Sequence, residues 1–237
     1  TYLRRYGVLP GRNAVVFTNN DHGYDAALAL KAAGANVQVF DARAQTQGSL
    51  PKRAKAAGIT VTLSSAITEA SGSKRVSSVK VQGLNASGEL SGSARSVSCD
   101  LVAMSGGPNP VIHLHSQAGN KAAWNDQLQA FIPGKPFQGE RWAGACGGEQ
   151  GLLACARNGL EVGLAAAQAA GFAAGKIAMP AVADMRLDPI RPLWLVPHAK
   201  RPSRAPKQFV DFQNDVAASD IQLAVREGFE SIEHIKR

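Results

Sequence analysis

The stretch from Asn13 to Asp41 constrains the fold more than any other part of the chain. Asn13-Ala14-Val15-Val16-Phe17-Thr18 is a short apolar run of strand length, and it reads as a buried strand. A polar turn follows, Asn19-Asn20-Asp21-His22-Gly23, and then Tyr24 to Ala33, rich in Ala and Leu. Gly34 stops that helix, because glycine readily adopts the left-handed backbone of a helix end. Asn36 to Phe40 is a second strand, closed by Asp41. Strand, helix and strand in about 30 residues is the unit from which a parallel sheet is built. The chain is therefore expected to be α/β.

Further elements are weaker. Residues 49–57 predict a short helix ended by Gly58, and Ile59 to Leu63 a third strand. Val76 to Leu84 and Ser96 to Cys99 alternate as antiparallel strands do. Leu101 to Met104 is a buried strand running into Ser105-Gly106-Gly107-Pro108-Asn109-Pro110, and Val111 to His115 continues as extended chain. A second glycine-rich turn, Gly144 to Gly151, opens a helix from about Leu152 to Ala170. Residues 180–207 hold six prolines and many basic residues, which predicts a linker or an extended arm lying over a surface. Beyond it, Ser219 caps a helix from Asp220 to Gly228, and another helix starts near Ser231.

Composition excludes some functions. The net charge of +8 favours anionic partners without choosing among them. Aromatic residues are only 6% of the chain, too few for a stacking surface, so nucleic acid is not the expected partner. Three cysteines, Cys99, Cys146 and Cys155, form no CxxC pair; a reducing, cytoplasmic setting follows. No apolar run is long enough to cross a membrane. The chain opens on Thr1 and stops on Lys236-Arg237, within an expected helix, and so reads as a fragment.

A dinucleotide site needs a tight turn that brings a helix N-terminus against a pyrophosphate, usually through G-x-G-x-x-G. Here Thr18, Asn20 and Gly23 hold those positions. Only the third glycine is present, but Asn tolerates left-handed angles, the side chains of Thr18, Asn19 and Asn20 can meet phosphate, and Asp21 belongs to the same candidate turn. Asp41 stands 18 residues past Gly23, where a carboxylate accepts from a ribose diol; Arg43 suits a 2′-phosphate instead. An ordinary Asx turn in a structural βαβ unit explains the same residues. Ser105, Gly106 and Gly107 form either a loop beside a nucleotide or a crossing between domains. Gly144 and Gly147 belong to either an anion site or a glycine cap. His113 and His115, on one face of a strand, lack a third metal ligand beyond Cys99 or Asp100, and no metal is expected.

Several strings resemble the alpha subunit of heterotetrameric sarcosine oxidase. They are Arg5-Tyr6-Gly7-Val8-Leu9-Pro10-Gly11, Val15-Val16-Phe17-Thr18-Asn19-Asn20-Asp21, Ala103-Met104-Ser105-Gly106-Gly107 with Asn109-Pro110 and His113-Leu114-His115, Phe209 to Val216, and Arg226 to Arg237. The resemblance covers nearly the whole chain. It implies a Rossmann-like NAD-binding domain, residues 1–100, inserted in a second FAD/NAD-binding domain, of which residues 101–179 are the return. A linker over 180–207 and a truncated helical domain over 208–237 complete the expected organisation. The last resembles a [2Fe–2S] domain, but Asp211 and Gln213 replace the cysteine ligands, so no cluster is expected.

The resemblance further implies NAD on this subunit and flavins, FAD and FMN, mainly on the beta subunit or at its interface. The implied whole enzyme is a cytoplasmic heterotetramer that oxidises sarcosine to glycine and passes the methyl carbon to tetrahydrofolate. This piece, which lacks a catalytic centre, would contribute dinucleotide binding and subunit contacts. The alternatives are a subunit of a related flavin-dependent amine or hydroxyproline dehydrogenase, and a non-catalytic nucleotide-binding scaffold.

Overall fold

The computed structural model describes residues 1–173, 175, 177–183 and 185–235. The expected chain end within a helix at Lys236-Arg237 lies outside the described residues. Helix α1, Tyr2–Tyr6, precedes strand β1, Asn13–Thr18, helix α2, His22–Ala32, and strand β2, Asn36–Asp41. Helix α3, Ser49–Ala56, and strand β3, Thr60–Thr62, follow. Strands β4, Ser65–Gly72, β5, Val76–Leu84, and β6, Leu90–Ser98, lead to β7, Leu101–Ser105.

The four strands β3-β2-β1-β7 form a parallel sheet in that order. Strand β1 is central and buried on both faces, which is why it is nearly all apolar. Alternate residues divide between two cores. Ala14 and Val16 pack with Tyr24, Ala27 and Leu30 of α2 and Leu50 and Ala54 of α3. Val15 and Phe17 face the other way, onto Phe40 and onto Ala66, Val79, Val81 and Val97 of the antiparallel meander β4-β5-β6. The molecule therefore has two helices on one side of the parallel sheet and an antiparallel sheet on the other. Each large apolar side chain buried this way contributes about 1.5–3 kcal/mol.

Strand β7 pairs in parallel with β1, from Ala14↔Leu101 to Thr18↔Ser105. Strand β7 thus lies in the same sheet as β1, across the boundary expected at residue 100. Asp100 fixes the entry of both strands by accepting from the backbone N–H of Arg12 and Asn13, at 3.1 and 2.8 Å. These bonds, the one from Asn13 first, hold its pKa below the ordinary value.

The chain continues through helix α4, His113–Gln117, the hairpin β8, Ala122–Asn125, with β9, Ala130–Pro133, and helix α5, Leu152–Ala169. His113 and His115 therefore lie on a helix and not on one face of a strand. Among the described residues no three of His, Cys, Asp and Glu converge as metal ligands. Helix α5 has no buried residue. The Pro-rich stretch is an arm, and its part from Arg186 to Arg191, here termed the strap, crosses the carboxyl end of the parallel sheet.

The tail is a small hairpin, β10, Phe209–Asp211, with β11, Val216–Ala217, then helices α6, Ala218–Arg226, and α7, Ile232–Ile235. Helix α6 starts after Ala217, not after Ser219. The Asp220 carboxylate accepts from the Ala217 N–H at 2.9 Å, so an acid in the first turn caps the helix while Ser219 sits inside it. No helix among the described residues is long and apolar enough to cross a membrane.

Candidate functional site

The carboxyl ends of β2, β1 and β7 are in register. Thr18 pairs with Asp41 on one side and with Ser105 on the other. Three residues singled out from sequence thus stand in one row, at the point where the chain leaves β1 for neighbours on either side. Open α/β sheets bind ligands at such a point.

The turn after β1 is held by its own side chains. Thr18 Oγ1 donates to the Asn20 carbonyl at 2.8 Å, and Asn20 Oδ1 accepts from the His22 N–H at 2.9 Å. Asn20 Nδ2 donates to the Ser105 carbonyl at 2.9 Å, tying β1 to β7. Thr18, Asn19, Asn20 and Asp21 are all buried. Gly23 fits where no other residue does, because an added Cβ would lie 2.5 Å from the Thr18 side chain. This close approach of helix to strand is the role of the third glycine in a dinucleotide turn. The side chains of Thr18 and Asn20 serve to shape the loop.

A cleft of about 440 Å³ opens at the N-terminus of α2. Asn20, Asp21 and His22 form its floor, and Pro108, Gly148, Gln150 and the strap its walls. The second glycine-rich turn therefore reaches the same place as the first, but through Gly148 and Gln150. Gly144 and Gly147 do not line the cleft. Gly144 donates its N–H to Asn158 Oδ1 at 2.8 Å, and Gly147 packs on Trp142, 2.6 Å from an added Cβ to the ring. In this arrangement both glycines shape the turn.

A second, apolar cleft of about 530 Å³ lies at the ends of β1 and β7, between β4, the arm and the tail. Phe17, Met104, Trp194, Phe209 and Phe212 are among its lining residues, with Ser105 and Gly106 at its edge. Gly107 instead receives Ile190 of the strap, whose Cδ1 is 2.4 Å from where a Cβ would stand.

Asp41 and Arg43 form a buried ion group. Asp41 is wholly buried, and Arg43 nearly so. Arg43 Nη2 donates to Asp41 Oδ2 at 2.8 Å, and Tyr24 Oη donates to the same oxygen at 2.8 Å. Arg43 Nη1 lies 2.8 Å from Asp21 Oδ1, close in distance but off the hydrogen-bond direction. The guanidinium also stands 5.9 Å from the Tyr24 ring centre. Burial, and then the Asp41 charge, push the Tyr24 phenol far above its ordinary pKa. Burial alone would lower the Arg43 pKa; hydrogen bonds and charge from Asp41, with Asp21 behind, reverse this and hold it charged. Arg43 therefore neutralises the protein's own carboxylates in this arrangement, and Asp41 has no oxygen turned outward.

Sequence reasoning missed the strap's part in this site. Asp188 Oδ2 accepts from the N–H of Gln47 and of Gly48, each at 2.6 Å, and the Ser49 N–H donates to the Arg186 carbonyl at 3.0 Å. The Asp188 N–H donates to Asp21 Oδ2 at 2.9 Å. The Arg191 side chain donates to the carbonyls of Ala42 and Asn85 at 2.6 and 2.9 Å; its N–H donates to the Asn19 carbonyl at 3.1 Å, and Asn19 Nδ2 donates to the Arg191 carbonyl at 2.9 Å. Its partners lie more than 100 residues away, so only the prolines hinted at it.

A parallel sheet with a helix N-terminus facing a cleft at its carboxyl edge places the chain in the α/β class of architecture used by dinucleotide-binding domains. Along its whole length the chain is homologous to the alpha subunit of sarcosine oxidase. It is 38% identical over 242 residues to that subunit from Corynebacterium sp. (strain P-1) and 34% identical over 238 residues to that from Rhizobium meliloti (strain 1021). All of this chain is covered in both, with 25% and 22% of the relatives' own lengths; the chain spans about a quarter of the curated relatives it matches. Residues 205–237 match the sarcosine oxidase A3 domain. Among solved structures, the chain is similar to T. acidophilum thioredoxin reductase, with a TM-score of 0.43, 17% identity, and coverage of 60% of this chain and 49% of that one. It is also similar to the bacillithiol disulfide reductase Bdr of Staphylococcus aureus, with a TM-score of 0.40, 19% identity, and coverage of 54% and 38%.

Proposed function

We propose that this chain is the dinucleotide-binding part of the alpha subunit of a sarcosine-oxidising enzyme, and that it binds NAD. The observation that carries the reading is the row Asp41–Thr18–Ser105 beside the N-terminus of α2, in a chain whose whole length is similar to about a quarter of such a subunit. The phosphates of a dinucleotide fit this chain. Gly23 lets α2 approach Thr18, and the cleft at Asn20, Asp21 and His22 receives an anion at a helix N-terminus. The ribose end fits less simply, because Asp41 and Arg43 are paired with each other beneath the strap.

The whole enzyme would convert sarcosine, tetrahydrofolate and oxygen to glycine, methylene-tetrahydrofolate and hydrogen peroxide. A bound nicotinamide or flavin would supply the two-electron chemistry, and the protein's part is to bind and orient it. Residues Thr18 to Asp21, Gly23 and Ser105 to Gly107 would shape the phosphate site. Flavins would sit mainly on the beta subunit or at its interface. Support for a subunit role comes from Met104, Trp194 and Phe212, exposed apolar side chains that line one cleft, since contiguous surfaces of that kind mark interaction sites.

Calorimetric titration of the purified protein with NAD and with NADP tests the reading. A saturable heat with NAD, and weaker binding of NADP, is expected, because Arg43, the cation suited to a 2′-phosphate, is already engaged with Asp41 and Asp21. Absence of binding to either nucleotide would refute it.

A further inference from the structure

We infer that the strap, Arg186 to Arg191, is a displaceable internal ligand of the ribose end of this site, so that a seated strap and a bound dinucleotide exclude one another. The inference rests on the nucleotide reading above. Three successive backbone donors, at Gln47, Gly48 and Ser49, open onto the loop after β2, and the strap takes all three. Two of them meet the Asp188 carboxylate, which places a negative charge at the start of α3, as a ligand anion would. The Pro189 carbonyl lies over the Arg43 guanidinium at 3.5 Å. A ribose seeking Asp41 thus meets the strap first, then Arg43.

The strap and a ribose contend for one small space. Asp21, Asp41 and Asp188 are grouped near one buried guanidinium. A Cβ built on Gly48 would be 2.3 Å from Asp21 Oδ2 and 3.2 Å from Asp188 Oδ2. While Asp188 is seated, the space between these carboxylates and Gly48 is filled. The strap is also poorly anchored by packing. None of its residues is buried, and apart from Ile190 against Gly107 its hold is a set of polar contacts, which open locally at lower cost than a packed core.

The test is NAD titration of the full chain and its Asp188→Ala variant by calorimetry, with hydrogen exchange followed over residues 186–191. Closing the strap lowers apparent affinity by the open fraction. Loss of both Asp188 contacts is expected to tighten NAD binding by about tenfold, on the order of the contribution of such charge-assisted bonds. In the unmodified protein, saturating NAD should speed exchange in the strap. Equal affinity with unchanged strap exchange overturns the inference and leaves the nucleotide reading standing. Binding to neither protein, both folded by circular dichroism, removes the nucleotide reading and the strap's role with it. Should Asp188→Ala not fold, the unmodified protein decides alone, and unchanged strap exchange on saturation overturns the inference.

Discussion

Arg43 keeps its charge with almost no water around it, held between Asp41 and Asp21. Removing one partner of a buried ion pair leaves the other uncompensated, at a cost of about 3–5 kcal/mol. Arg43→Ala should lose stability of that order in urea denaturation, and Arg43→Lys should lose less while failing to restore the forked contact. A loss below about 1 kcal/mol, the range of an exposed pair, would contradict the burial described. The sequence alone points to Asp41 as a ribose acceptor. With Tyr24 and Arg43 on its oxygens, the first effect of Asp41→Ala is instead a loss of stability. Gly23→Ala forces a Cβ to 2.5 Å from Thr18. Overpacking of this kind costs about 1–3 kcal/mol, and thermal unfolding would measure it.

At the scale of elements, legibility followed apolar alternation. Strands β1 and β2 were readable because both sheet faces bury their side chains. Strand β6, Leu-Ser-Gly-Ser-Ala-Arg-Ser-Val-Ser, buries only Val97, so most of its length carries no pattern, and only its end was anticipated. Strand β4 is made of small and polar residues and is held by pairing with β5, a partner no local rule reveals. The run Val-Ile-His-Leu-His alternates like a strand, yet its end coils into α4, where His115 turns inward. There His115 Nδ1 meets Glu140 Oε1, and Asn120 Nδ2 holds the other carboxylate oxygen at 2.6 Å. The Glu140 hydrogen bond raises the His115 pKa above 6.5, against burial, which lowers it. A raised pKa contributes stability that is whole below the unfolded value and is lost as pH rises through the folded one. Unfolding midpoints measured from pH 6 upward should therefore fall through a component absent in His115→Gln. Parallel pH profiles for the two proteins would remove that assignment.

At the scale of the molecule, the candidate site was legible as a list but not as an arrangement. The turn after β1, Asp41 and the Ser105 loop stand side by side because one parallel sheet sets their register. What seats over them came from the arm, and sequence spacing says nothing about where an extended arm lies. The same scale holds the question of activity. In the proposed reading the flavin that faces sarcosine would be carried by the beta subunit, so this chain, given flavins, NAD, tetrahydrofolate and air, should release no peroxide from sarcosine above a denatured control. Turnover would move the catalytic centre onto this chain. The central claim, that the N-terminus of α2 receives a dinucleotide, is tested most directly by amide chemical-shift mapping of the labelled protein with NAD. The account predicts that the largest shifts fall at Asn19 to Tyr24 and Ser105 to Gly107; shifts confined to α5 or the tail, with these amides unmoved, would contradict it.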